Sequence, residues 1–219
     1  MKVLTQNKKM KNSSLDGLTV FNFGIPAFKS KSGLMTCPQA GKCAAGCYAK
    51  SGAYLWGAVK NAYEKRLELT QSKQFKKVMH DEIEKLLEKK AVKKLVIRIH
   101  DSGDFYNAEY LADWLTIIAA FPQVEFYAYT KMIMLFKNRF LPKNFRVIFS
   151  FGGKQDSLID VENHFHSKVF QSIGELEEAG YVDSSHDDMI AAFGPSKKIG
   201  LVYHGAKSFE NTLWGKVKK

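Results

Sequence analysis

The chain has 219 residues, with 33 Lys and Arg against 22 Asp and Glu, for a formal net charge of +11. Apolar residues make up 45% and charged residues 25%, a composition that excludes a disordered chain, and the length suffices for a full core. No apolar run approaches the roughly 20 residues needed to span a bilayer. The opening MKVLTQNKKMKNSS holds no apolar signal stretch, so a soluble, cytoplasmic protein with no membrane partner is expected.

The positive excess points to polyanions, either nucleic acid or a phosphate-bearing small-molecule substrate. Much of it is lysine on solvated helix faces, such as KQFKKVMHDEIEKLLEKKAVKK.

In chain order, Leu18 to Phe23 is strand-like and ends in Gly24-Ile25-Pro26, a first strand or a flap. A loop rich in small residues follows over 36–52. Tyr54 to Leu69 and Gln71 to Lys90 are predicted helices. In the second, Phe75, Val78, Met79, Ile83, Leu86 and Leu87 recur at threes and fours as one apolar stripe. Leu95 to Ile99 is a short β-branched strand running into His100-Asp101-Ser102-Gly103-Asp104. The next helix is predicted over Ala108 to Ala120, capped by Asn107 and stopped at Phe121-Pro122.

Strands follow at Val124 to Tyr129 and Phe145 to Phe149, with a short helical piece at Met132 to Phe136 between them. Beyond these come a helix near Leu158 to Phe165, a strand at Lys168 to Gln171, the acidic Glu175 to Glu178, the stretch VDSSHDDM, and a strand over Lys198 to His204. Strands alternating with helices predict a single α/β domain over 1–219 with a parallel, partial-barrel sheet.

The three cysteines, Cys37, Cys43 and Cys47, stand in TCPQAGKCAAGCYAKSG with C-x5-C-x3-C spacing. Three thiolates in one Gly-rich turn repel one another unless a cation neutralises them, which points to a metal or cluster. A disulfide would leave one cysteine over, and structural zinc asks for four ligands, usually in C-x2-C pairs. A [4Fe-4S] cluster on three thiolates leaves one iron open, and it is the favoured reading over zinc or no metal.

In a parallel sheet the C-terminal strand ends carry the chemistry. Those ends supply His100 to Asp104, then Tyr129 to Lys131, then Ser150, Gly152 and Gly153, then His204 and Gly205. His100 is a candidate fourth cluster ligand or proton donor. Asp101 and Asp104 are candidates to bind a cationic group or to cap the next helix. Lys131 is a candidate to neutralise cluster charge, and His186, beside Asp187 and Asp188, to join the site or a second metal. His204 ends an apolar strand. His164 and His166 are expected at the surface, and Tyr48 packed under the cysteine loop. No dinucleotide, phosphate-loop or Ser-His-Asp pattern occurs.

Four stretches, CPQAGKCAAGCYA, RIHDSGDF with FYAYTK, VDSSHDD and GLVYHGA, together resemble the phage family called gene product 88. The first half is also similar in layout to radical S-adenosylmethionine enzymes. There a three-cysteine loop after the first strand binds the cluster, and a Gly-Gly-Glu motif ends the second strand. That likeness implies cofactor binding at Ser102, Gly103 and Asp104. The cysteine spacing here differs from the usual C-x3-C-x2-C of those enzymes, and Ser-Gly-Asp stands in place of Gly-Gly-Glu. Three functions follow: a cluster-dependent enzyme, with S-adenosylmethionine as a candidate cofactor; a non-catalytic redox, sensor or nucleic-acid-binding cluster protein; and a zinc-stabilised interaction protein.

Overall fold

The computed structural model describes residues 2–14 and 17–203. Seven strands form one wholly parallel sheet curved into a half-barrel, in the order β1-β2-β3-β4-β5-β7-β6. They are β1 Leu18–Phe23, β2 Lys94–Ile99, β3 Glu125–Thr130, β4 Phe145–Ser150, β5 His166–Phe170, β6 Val182–Asp183 and β7 Lys198–Val202. The helices are α1 Lys8–Asn12, α2 Gly57–Thr70, α3 Phe75–Leu87, α4 Ala108–Ala120, α5 Ile133–Phe136, α6 Ile173–Glu178 and α7 Asp188–Phe193.

The strands read as near-continuous apolar runs because both faces are covered, as parallel sheets require. Phe21, Phe23, Leu95, Ile97, Ile99, Phe126 and Ala128 share the outer core with Leu67 of α2, Phe75 and Met79 of α3 and Trp114 of α4. Val20, Val96, Tyr127, Ile148 and Ile199 face the other way, against Met10 of α1 and Ala191 and Ala192 of α7. The inner face is therefore filled by two short helices. Helix α7 runs opposite to the strands. Its first residue, Asp188, meets Arg98 at the far end of β2, while Arg146, near the start of β4, donates to the carbonyls of Ala191 and Gly194.

One buried ion cluster holds this plug. Asp188 has no exposed side-chain surface and accepts from Lys9 Nζ at 2.7 Å and Arg98 at 3.1 Å. Burial alone would raise its carboxyl, but Arg98 and Lys9 override that and hold it below the usual carboxylate range. The free edge of β1 is covered where Thr5 and Asn22 exchange backbone hydrogen bonds of 2.9 and 2.7 Å in an antiparallel bridge.

The alternation of strands and helices, the apolar stripe of α3 and the Asn107 cap, whose Oδ1 accepts from the Tyr110 amide at 2.8 Å, match the sequence expectation. The segment Leu18 to Phe23 is a strand, paired with β2 over six residues. The expected helix over Leu158 to Phe165 does not form. Asp160 Oδ1 accepts from the amides of Glu162 and Asn163, a turn that competes with helical bonding, and only Asp156–Leu158 makes a helical turn. Strand β7 ends at Val202; His204 and Gly205 lie outside the described residues. Among the described residues no helix is long and apolar enough to cross a membrane.

Removing Asp188 strands two cations beneath the sheet. Asp188→Ala is expected to cost about 3–5 kcal/mol in urea unfolding, with partial recovery when Lys9 and Arg98 are both changed to Met. A loss below about 1 kcal/mol would show that the cluster does not hold the plug.

Candidate functional site

The cysteine loop leaves the end of β1 and crosses the C-terminal edges of β2, β3 and β4. It begins with a small hairpin in which Phe28, at φ +62°, offers its carbonyl to the amides of Thr36 at 3.0 Å and Cys37 at 3.4 Å. Its far side lies on the turn after β4. The Gly41 and Cys43 amides both donate to Gly152 O at 3.2 Å, and the Lys154 amide to Gln39 O at 2.9 Å. Side chains are excluded from this contact. A Cβ on Gly41 would lie 2.9 Å from Gly152 O, and one on Gly153 would lie 3.0 Å from Gln39 O. The Asp156 carboxylate shapes the turn by accepting from both glycine amides at 2.8 Å.

The three thiols are unpaired and half-buried. Burial first, then the Asp104 carboxylate, push Cys37 up to about 12, with Cys47 and Cys43 adding to the shift; burial likewise raises Cys47. The thiols are thus near enough to repel as thiolates. Backbone amides already point at sulfur: Phe28 N–H donates to Cys37 Sγ at 3.4 Å, and Ala49 N–H bonds Cys47. The thiols do not converge on one point. Among the described residues, the group of His, Cys or carboxylate ligand atoms lying within 4.8 Å of one another is His80, Asp81 and Glu84 on α3. A tetrahedral zinc would hold its sulfurs roughly 4 Å apart. As they stand, the cysteines do not make a single-ion site.

Asp104 ties the loop to the sheet. Its Oδ1 accepts from the Phe105 amide at 2.8 Å and Thr130 Oγ1 at 2.6 Å, and its Oδ2 from the Lys131 amide at 2.9 Å. Its own amide donates to Thr36 O, next to Cys37, at 3.0 Å. With its carboxylate so occupied, Asp104 acts here as a fastening rather than as the open cofactor ligand implied by resemblance. It also does not cap α4, which Asn107 does. Before it, Gly103 adopts φ +83°, and a Cβ there would strike Ile25 Cγ1 at 2.3 Å. Ser102 gives its carbonyl to the Ile25 amide at 3.0 Å. The buried hydroxyls Ser102 Oγ and Thr36 Oγ1 find no hydrogen-bond partner among the described residues.

His100 and Asp101 part company. His100, at φ +64°, turns outward, bonds Tyr110 Oη through Nε2 at 2.9 Å and packs edge-on against Phe105. Burial first, with Arg98 adding to it, lowers its pKa to about 3, so it is a neutral core histidine pointing away from the thiols. Asp101 is buried among three tyrosines that sequence reasoning did not join to it. Its carboxylate accepts from Tyr63 at 3.0 Å and Tyr54 at 3.4 Å, and its carbonyl accepts from Tyr48, the residue after Cys47. Burial raises its carboxyl despite Arg98 and Tyr63. Gly24 makes room for this group, since a Cβ there would lie 1.9 Å from Asp101 Oδ1.

Lys131 stands inside the site, its Nζ donating to Ser150 Oγ at 2.8 Å and its charge lowering Cys47. His186 is exposed in the loop before α7, and its neighbours serve the helix: Asp187 caps it and Asp188 is buried under it. Against expectation, His166 is fully buried. It sits in β5 with edge-on contacts to Phe151 and Tyr181, so the ENHFHSK stretch is only partly surface. Arg98, whose alternation with Ile97 and Ile99 places it on the inner face, was legible only as a strand interruption.

The depressed His100 pKa gives a signed prediction. Between about 6.5 and 3 the unfolded chain binds a proton that the native state refuses, so His100 lowers stability as pH falls through that window. His100→Asn tolerates the positive φ and cannot titrate. Its stability should fall less steeply than wild type there, by up to about 1.4 kcal/mol per pH unit in urea midpoints measured from pH 7 to 4. Parallel curves would place a charged His100 in the native state.

Neither the curated proteins nor the solved structures give a match to this chain. The family model for gene product 88 matches residues 1–210, which takes in the cysteine loop, the β2 end and every described strand. The chain belongs to the phage gene product 88 family.

Proposed function

We propose that the protein binds a [4Fe-4S] cluster through Cys37, Cys43 and Cys47 and is a cluster-dependent enzyme of the infected cell's cytoplasm, with chemistry like that of radical S-adenosylmethionine enzymes. The observation that carries this reading is the placement of three unpaired thiols on one loop across the C-terminal edge of a parallel half-barrel. Burial and mutual proximity keep these thiols protonated, and a bound cation would supply the charge that displaces their protons. Sulfurs too far apart for one ion suit a multinuclear centre better, and the amides aimed at Cys37 and Cys47 are the contacts that tune such a centre.

When bound, such a cluster supplies one-electron chemistry at an iron with an open position. This chain's own residues would do the rest. Ser102 Oγ and Thr36 Oγ1, buried and unsatisfied, offer hydrogen bonds to a polar group entering above β1 and β2. Gly103 lets Ile25 and Pro26 pack directly on this turn, which fixes Ser102 in place. Lys131 offsets negative charge beside Cys47. Asp101 and its tyrosines hold the cysteine loop in place from below.

Anaerobic reconstitution should load about four iron and four sulfide per chain, and Cys37→Ala, Cys43→Ala and Cys47→Ala should each cut that loading several-fold with the fold retained by circular dichroism. Ser102→Ala should keep iron but weaken S-adenosylmethionine binding about tenfold in calorimetry. Wild-type iron in all three cysteine variants would contradict the ligand assignment.

A further inference from the structure

We propose that the loop face around the cysteines binds a single-stranded nucleic acid, with Trp56 as a stacking platform for a base. This deepens the enzyme reading by naming the polymer that the site works on or rides along.

The charge distribution supports it first. From Leu18 to Tyr63 the chain carries no aspartate or glutamate, yet it holds Lys29, Lys31, Lys42, Lys50 and Lys60. All five are exposed, as is Lys154 on the turn that docks against Gln39. Elsewhere a few lysines pair with acids: Lys9 with Asp188, Lys76 with Asp113, Lys77 with Asp81 and Lys94 with Glu125. On the loop face they do not. Among the described residues none of the six has a carboxylate partner within 4.0 Å. Lys31, Lys50 and Lys154 instead lean on neutral oxygens of Asn61, Ala44 and Pro38. Of the nearby acids, Asp156 faces the glycine amides, Asp101 and Asp104 face into the protein, and Glu64 accepts from the Lys31 amide at 2.9 Å.

The second observation is independent of charge. Trp56, at the entrance to α2, is 67% exposed, and its neighbour Leu55 is 51% exposed. A tryptophan left in water on a lysine-rich, acid-poor surface fits a polyanion that also carries flat rings. Backbone phosphates answer the lysines, and an unpaired base answers the indole. A duplex would keep its bases stacked inside and leave the indole unused.

The test is fluorescence anisotropy of a labelled oligothymidylate of about 20 nucleotides with the full chain, iron being assayed on the same sample so that loss of the cluster and loss of binding are read separately. Binding to the single strand should exceed that to the matched duplex and to polyphosphate, and it should weaken as salt rises. Trp56→Ala should cost about tenfold in affinity and Trp56→Phe much less. The triple change K42E/K50E/K154E should cost more than tenfold, whereas K85E/K89E/K90E at the end of α3 should cost no more than general charge loss, about twofold to threefold. Equal binding of polyphosphate with no effect of Trp56→Ala, or equal losses from the two triple changes, would overturn the proposal.

Discussion

The Asp104 carboxylate is the fastening on which the candidate site depends. It accepts from the Thr130 hydroxyl and the Lys131 amide at the end of β3, while its own amide holds Thr36 beside Cys37. One buried side chain thus locks the cysteine loop, the end of β2 and the end of β3 into a single geometry. Burial raises its pKa and three donors pull it down, so the group is costly to place and effective once satisfied. The Asp101 group repeats the device three residues earlier: Tyr54 and, from α2, Tyr63 donate to its buried carboxyl, and Tyr48, next to Cys47, donates to its backbone carbonyl. The loop is therefore held from both sides. Such fastening would favour the proposed multi-ligand centre, because side chains placed in advance need less ordering on binding.

Underneath, the half-barrel is closed by its own chain. Helices α1 and α7 fill the inner face, and the Asp188–Arg98–Lys9 cluster pins them. The inner face is thereby filled, and the thiols, Ser102 and Lys131 lie on the rim formed by the C-terminal strand ends. Packing decides where chemistry can occur, and charge decides what can approach it.

Much of this was legible in the residues. Apolar runs punctuated by helical stripes specify parallel strands, and polar and glycine residues at the strand ends mark the rim. The Asn107 cap and the C-x5-C-x3-C loop stand out locally. What escaped were relations between distant positions. Nothing near His100 reveals that it swings outward at positive φ to meet Tyr110, and nothing near Asp101 reveals Tyr54 and Tyr63. The expected helix after Leu158 failed because Asp160 satisfied the amides of Glu162 and Asn163 itself, a local competition that apolar spacing does not weigh. His166 was expected at the surface because no ligand companion was evident beside it, yet β5 buries it between aromatic rings.

The central claim is that three thiols on this rim hold a cluster with an open position. The most direct measurement is electron paramagnetic resonance of the anaerobically reconstituted, reduced protein with and without S-adenosylmethionine. The account predicts a four-iron signal that shifts when S-adenosylmethionine is added and is lost in Cys43→Ala. Protein that retains no iron after reconstitution, or a four-iron signal unmoved by S-adenosylmethionine, would contradict it.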